Sequence, residues 1–243
     1  MLLLLAPSAI AAAHPFLRGG VSLGRTDDTV VLDRDCASTA PPALFGCVDG
    51  LDGRPLGAYG DFGSDAGLEM AAGVELGDSM RLELAVARQP LSLDADANFV
   101  GVEGEQPVNG DGTSWTAIAG GAVDLGPRAW RVRPFLSAGA GIARNDWDGV
   151  VYSFPGIGAD AVTSLSGGRA TNFAWNAGAG AAIAISPSLL LDLALRYSDL
   201  GEVRTDAALA TIVRPRGTFE IEIDGTRASL RKREVVVSLR WRK

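Results

Sequence analysis

Hydrophobic and polar residues alternate along this chain with the period of a β-strand, and the alternation has an unusual sense. From Asn172 to Ile185, Phe173, Trp175, Ala177, Ala179, Ala181, Ile183 and Ile185 share one parity. After Ser186-Pro187-Ser188, Leu189, Leu191, Leu193, Leu195 and Tyr197 do the same. The opposite parity holds Asn172, Asn176, two glycines, Asp192 and Arg196. Successive side chains of a strand point to opposite faces, so each segment has one apolar and one polar face. A soluble barrel turns its bulky apolar face inward. Here the residues sized for an interior are polar or tiny, and the bulky ones form a continuous row, as a strand facing lipid requires.

The same reading predicts eight strands, near 16–25, 66–77, 79–92, 114–125, 130–143, 171–185, 188–200 and 229–241. Gly77-Asp78, Gly126-Pro127-Arg128-Ala129 and Ser186-Pro187-Ser188 are turn-rich short links. The links over 26–65, 93–113, 144–170 and 201–228 are long. Strict alternation of short and long puts every long link at one end. The expected fold is therefore all-β: an eight-stranded antiparallel up-and-down transmembrane β-barrel with short periplasmic turns and four long external loops. Pro134 inside the fifth strand predicts a bulge or a lost ladder bond. Phe219, Ile221 and Ile223 followed by Asp224-Gly225 predict a hairpin within the last loop, turning at Asp224-Gly225.

Parity assigns an inward charge network: Arg18, Glu69, Glu75, Arg81, Glu83, Arg131, Arg133, Asp192, Arg196, Glu234 and Arg240. An eight-stranded barrel is only just wide enough for its own side chains. Unpaired charges there are prohibitive, so these groups should pair and plug the lumen. A narrow ion path gated by the same pairs is the alternative. The aromatics sort to strand ends: Trp115, Phe173, Trp175 and Tyr197 toward the external side, Phe16, Trp130 and Trp241 toward the periplasm. Two such girdles belong at the two membrane interfaces.

Composition narrows the function. The 243 residues carry a net charge of -7, which argues against a nucleic-acid partner. Residues 1–13 read as the apolar core and cleavage region of a signal peptide, with Ala11-x-Ala13 placing the cut before His14, and 14–243 as the barrel. No later run is long enough for a membrane-spanning helix. In an exported chain, Cys36 and Cys47 predict a disulfide, and two thiols without a nearby histidine make a poor metal site. His14 is the single histidine, so Ser-His-Asp chemistry has no base and no catalysis is expected. Most acidic residues fall in the long loops. Asp94, Asp96, Glu103 and Glu105 lack the spacing of a calcium loop, and no cofactor is implied.

Several segments resemble the opacity-protein-like eight-stranded outer-membrane β-barrel family, the porin-family relatives of the OmpA transmembrane barrel. They are Arg133-Pro134-Phe135-Leu136-Ser137-Ala138-Gly139-Ala140-Gly141, Asn176-Ala177-Gly178-Ala179-Gly180, the segment Leu191 to Gly201, and the closing Glu234 to Arg242. The resemblance covers roughly 130–243. Members usually end in an aromatic residue read by the barrel assembly machinery; here Trp241 precedes the final Arg242-Lys243. The resemblance implies a monomer in the Gram-negative outer membrane, with lipid and lipopolysaccharide around it and the assembly machinery and a surface or host ligand as partners. The expected role is structural or interactive: envelope integrity or presentation of loops. A narrow porin-like channel and a soluble lipocalin-like binder are the alternatives.

Overall fold

The computed structural model describes residues 13–243; the predicted signal peptide lies outside the described residues except for Ala13, which opens the first strand. The described residues form twelve strands. Eight close a ring: β1 (Ala13–Thr26), β4 (Ala66–Leu76), β5 (Met80–Ala97), β6 (Pro107–Asp124), β7 (Val132–Ser153), β8 (Val162–Ala184), β9 (Leu189–Arg204) and β12 (Thr226–Arg242). Each pairs antiparallel with the next, and β12 closes on β1 from Phe16↔Arg242 to Thr26↔Lys232. The short links join β4 to β5, β6 to β7 and β8 to β9 at one end. At Gly77 the backbone adopts φ 65°, which glycine enters without a Cβ penalty.

Several strands run beyond the lengths that the sequence predicts. β5 has 18 residues and β8 has 23, whereas a crossing needs about 9–11. The extra length builds a wall above the membrane. There β1 and β4 stop, and the hairpin of β2 (Thr29–Asp33) and β3 (Ala58–Asp61) fills the gap between β12 and β5. A second hairpin, β10 (Ala208–Arg214) with β11 (Gly217–Ile223), pairs with the upper end of β8. That hairpin turns at Pro215-Arg216, so Asp224-Gly225 links β11 to β12 instead of making the predicted turn. Of the two outcomes expected at Pro134, the bulge is absent: the residue faces outward and pairs in register with Ala181, and proline brings no N–H to the ladder. The register shifts occur at Asp111/Gly112 and Ser229/Arg231.

The two faces exchange character along each strand. On β5 the outward residues are Met80, Leu82, Leu84 and Val86, then Arg88, Ser92, Asp94 and Asp96. The inward residues are Arg81 and Glu83, then Gln89, and finally Leu91, Leu93, Ala95 and Ala97. The lower half is thus apolar outside and ionic inside, while the upper half is polar outside and apolar inside. The upper interior is a packed core that includes Val31, Phe45, Phe62, Leu93, Trp147, Tyr152 and Leu230. Phe45, on the loop after β2, stacks on Phe99 at 5.0 Å and meets Tyr152 edge-on at 5.9 Å. A membrane-embedded lower half and a water-bathed upper half account for the exchange, because each half hides the residues its own solvent rejects.

Candidate functional site

The lumen of the lower half is layered. Nearest the short turns, the Arg240 guanidinium, fully buried, bridges Asp192 at 3.0 Å and Glu75 at 2.7 Å. Arg81 and Arg133 share Asp124 at 3.4 and 3.2 Å. Two phenylalanines sit among them. Arg240 lies over the Phe16 ring at 5.6 Å and Arg81 over Phe135 at 4.3 Å, a cation–π geometry. Each ring is seated against an inward glycine: a Cβ at Gly73 would lie 2.6 Å from Phe16, and one at Gly180 2.7 Å from Phe135.

The next layer is a chain of alternating charge. Glu83 accepts from Arg18 at 2.6 Å, and Arg18 also pairs with Glu69. Glu69 accepts from Arg196 at 2.5 Å, and Arg196 from its other side reaches Glu234 at 2.8 Å. Lys232 closes the chain on Glu234 at 2.9 Å and donates to Gln89. Every charge in this chain touches an opposite one, which is the condition for burying charge at all. Above it, a neutral polar layer leads to the apolar core. Asn145, fully buried, accepts from Ser114 at 2.7 Å and donates to the carbonyls of Leu200 and Glu202 at 3.0 and 2.9 Å. Between Arg18, Arg81, Phe135 and Arg196 the ionic layers enclose a cavity of about 60 Å³. About 10 Å³ remains in the apolar layer beside Phe62 and Trp147.

Against the sequence expectations, Arg18, Glu69, Glu75, Arg81, Glu83, Arg133, Asp192, Arg196, Glu234 and Arg240 all lie in the lumen. Arg131 does not. It precedes β7, where the strand alternation has not begun, and is exposed at the turn. Phe16 is not a girdle residue either, at 3 % exposure inside the barrel. Trp115, Trp130, Phe173, Trp175 and Trp241 face outward, with Tyr197 partly exposed beside Trp175. Asp124, Lys232 and Gln89 were not among the predicted lumenal residues, although each has the inward parity of its strand.

The external loop after β2 is tied down by two devices. Cys36 and Cys47 form a disulfide with a Cα–Cα distance of 4.9 Å. The Asp33 carboxylate accepts from the backbone N–H groups of Leu44 (2.8 Å), Phe45 (3.0 Å) and Gly46 (2.8 Å). Burial pushes the Asp33 carboxyl above the usual carboxylate range, against the pull of those three donors. The two devices seat Phe45 on top of the upper core.

No family model matches the chain, and no curated protein matches it. Solved structures do. The outer membrane protein OprG from Pseudomonas aeruginosa aligns with a TM-score of 0.52 at 15% identity, over 96% of this chain and 97% of that one. This chain has the fold of an outer-membrane β-barrel. Neisserial surface protein A aligns with a TM-score of 0.48 at 14% identity, over 95% of this chain and 98% of the other. The outer membrane protease OmpT from Escherichia coli aligns with a TM-score of 0.46 at 7% identity, over 94% and 97% of the two chains.

Proposed function

We propose that this protein spans the Gram-negative outer membrane as a monomeric barrel that does not conduct, supports the envelope, and holds a folded platform of external strands and loops before surface or host ligands. Lipid and lipopolysaccharide surround it, and the barrel assembly machinery inserts it. The observation that carries this reading is the filled interior: cross-linked ionic layers below and a packed apolar core above. A cavity of about 60 Å³ is far below the roughly 300–1,000 Å³ of ordinary small-molecule sites. The apolar layer would also oppose an ion that had passed the charged ones, because a charge there has no partner. The soluble lipocalin-like alternative is disfavoured by the outward Leu82, Leu84, Leu195 and Leu239 around the lower half.

The test is planar-bilayer recording on folded protein. The expected result is no discrete openings for the native chain, and none for Arg81→Ala or Glu83→Ala, because the apolar layer remains. Discrete openings of the native protein that change with either substitution would favour the narrow channel instead.

A further inference from the structure

The outward face shared by β1, β12, β9 and β8 carries a feature that a filled barrel does not require. Arg25 and Arg233 stand directly opposite each other on β1 and β12. Like charges opposed on one face of a sheet repel. Each spends a nitrogen on one carboxylate, Arg25 on Asp61 and Arg233 on Asp27, both at 3.2 Å. The carboxylates are drawn back, at 22% and 29% side-chain exposure, while the arginines project at 73% and 78%. Most of the donors on each guanidinium therefore lie outside these pairs, on an exposed side chain. Arg231, one outward position further up β12, is held by Asp199 at 3.1 Å and adds a third cation to this face.

The register below the arginines is apolar. Leu23, Val235 and Leu195 lie side by side on β1, β12 and β9, and Tyr197 lies between Arg233 and Ala177. The small Ala177 leaves a depression beside the Tyr197 ring. Leu23, Ala177, Leu195, Tyr197 and Val235 line a groove of about 760 Å³ with Arg25 and Arg233 at its upper rim. A second hollow of about 540 Å³ lies above the arginines, lined by Thr26, Asp27 and Asp28. The arginines thus separate an apolar trough on the lipid-facing belt from a polar hollow just outside it.

We infer that this face binds a phosphorylated saccharide lipid of the outer leaflet, with an acyl chain in the groove, a phosphate across Arg25 and Arg233, and sugar hydroxyls toward Asp27 and Asp28. The guanidinium fork matches phosphate oxygens two at a time, and the donors that Asp61 and Asp27 leave free on the two opposed arginines are enough to hold a phosphate between them. The site rests on the proposed orientation, with the long loops outward, because only then does the arginine level meet the outer-leaflet headgroups.

The probe is bis-phosphorylated lipid A, titrated into detergent-folded protein, with its dephosphorylated form, phosphatidylglycerol and inorganic phosphate as comparisons. Arg25→Ala/Arg233→Ala should bind bis-phosphorylated lipid A about tenfold more weakly than the native chain, with Arg25→Lys/Arg233→Lys in between. Ala177→Leu fills the groove without touching the cations and should weaken the same binding. Equal binding by the native chain and the alanine double variant overturns the site, as does equal affinity for the dephosphorylated lipid or phosphatidylglycerol. Full competition by inorganic phosphate overturns it too, since the groove would then contribute nothing. A heat-dependent shift on SDS gels reports folding in every variant, so loss of the lipid site with that shift intact leaves the filled-barrel reading standing.

Discussion

At the residue scale, burial makes some ion pairs consequential and leaves others nearly neutral. Arg240 has no exposure and two carboxylate partners, whereas Arg204 and Glu202 meet at the surface. Removing one member of a buried set strands its partners in a low-dielectric interior. Arg240→Ala should therefore destabilise the barrel by about 3–5 kcal/mol, while Arg204→Ala should cost about 0–1 kcal/mol. Urea unfolding of lipid-vesicle-inserted protein, followed by tryptophan fluorescence, measures both. A cost for Arg240→Ala no larger than for Arg204→Ala would mean that water reaches the lower lumen freely. Much of that lumen was legible from parity alone. Phe16 has the parity of Arg18 and Phe135 that of Arg133, so alternation already turned both rings inward; the general preference of aromatics for membrane interfaces misassigned Phe16. Arg131 failed in the opposite way. Parity has no meaning in a turn, and β7 begins only at Val132.

At the element scale, the eight transmembrane strands were legible because lipid and lumen impose opposite demands on adjacent residues. The strand ends were not. Apolar residues on β5 change phase between Val86 and Leu91, which reads as the end of a strand although the backbone continues to Ala97. The signal in the sequence was the phase change itself: Leu91, Leu93, Ala95 and Ala97 keep perfect alternation on the other parity. The β2–β3 hairpin was illegible for a different reason. It is held by neighbours distant in sequence, including Asp33 opposite Thr226 and Ala58 opposite Ala97. Its covalent brace makes a prediction at this scale. The Cys36–Cys47 bond closes a short loop, and removing it should cost about 2–4 kcal/mol of local stability. Cys36→Ser should let limited proteolysis cut within residues 34–57 while the heat-dependent gel shift persists. Loss of that shift would mean that the loop holds the transmembrane ring together.

At the scale of the whole molecule, the exchange of faces fixes where the bilayer must lie. Along the outside of β5 the apolar run ends at Val86, and Arg88 stacks over the outward Trp115 at 5.8 Å. Arg144 lies opposite Trp115 on β7, and Arg25 and Arg233 mark the same limit on β1 and β12. At the other end the outward Trp130 and Trp241 lie by the short turns. The hydrocarbon slab fits between these levels, and everything above Arg88 stands in water. Position along a single strand should then decide the cost of one identical change. Leu84→Arg puts a cation into hydrocarbon and should cost about 2–4 kcal/mol, whereas Ser92→Arg on the same outward face should cost about 0–1 kcal/mol. Neither substitution alters the lumen, so unfolding free energies in vesicles read the solvent outside the wall and nothing else. The same pair in a soluble barrel would cost alike, because water would bathe both positions. Equal costs in vesicles would therefore remove the membrane from the explanation of this fold, and with it the reason for an ionic layer and an apolar layer in one continuous interior.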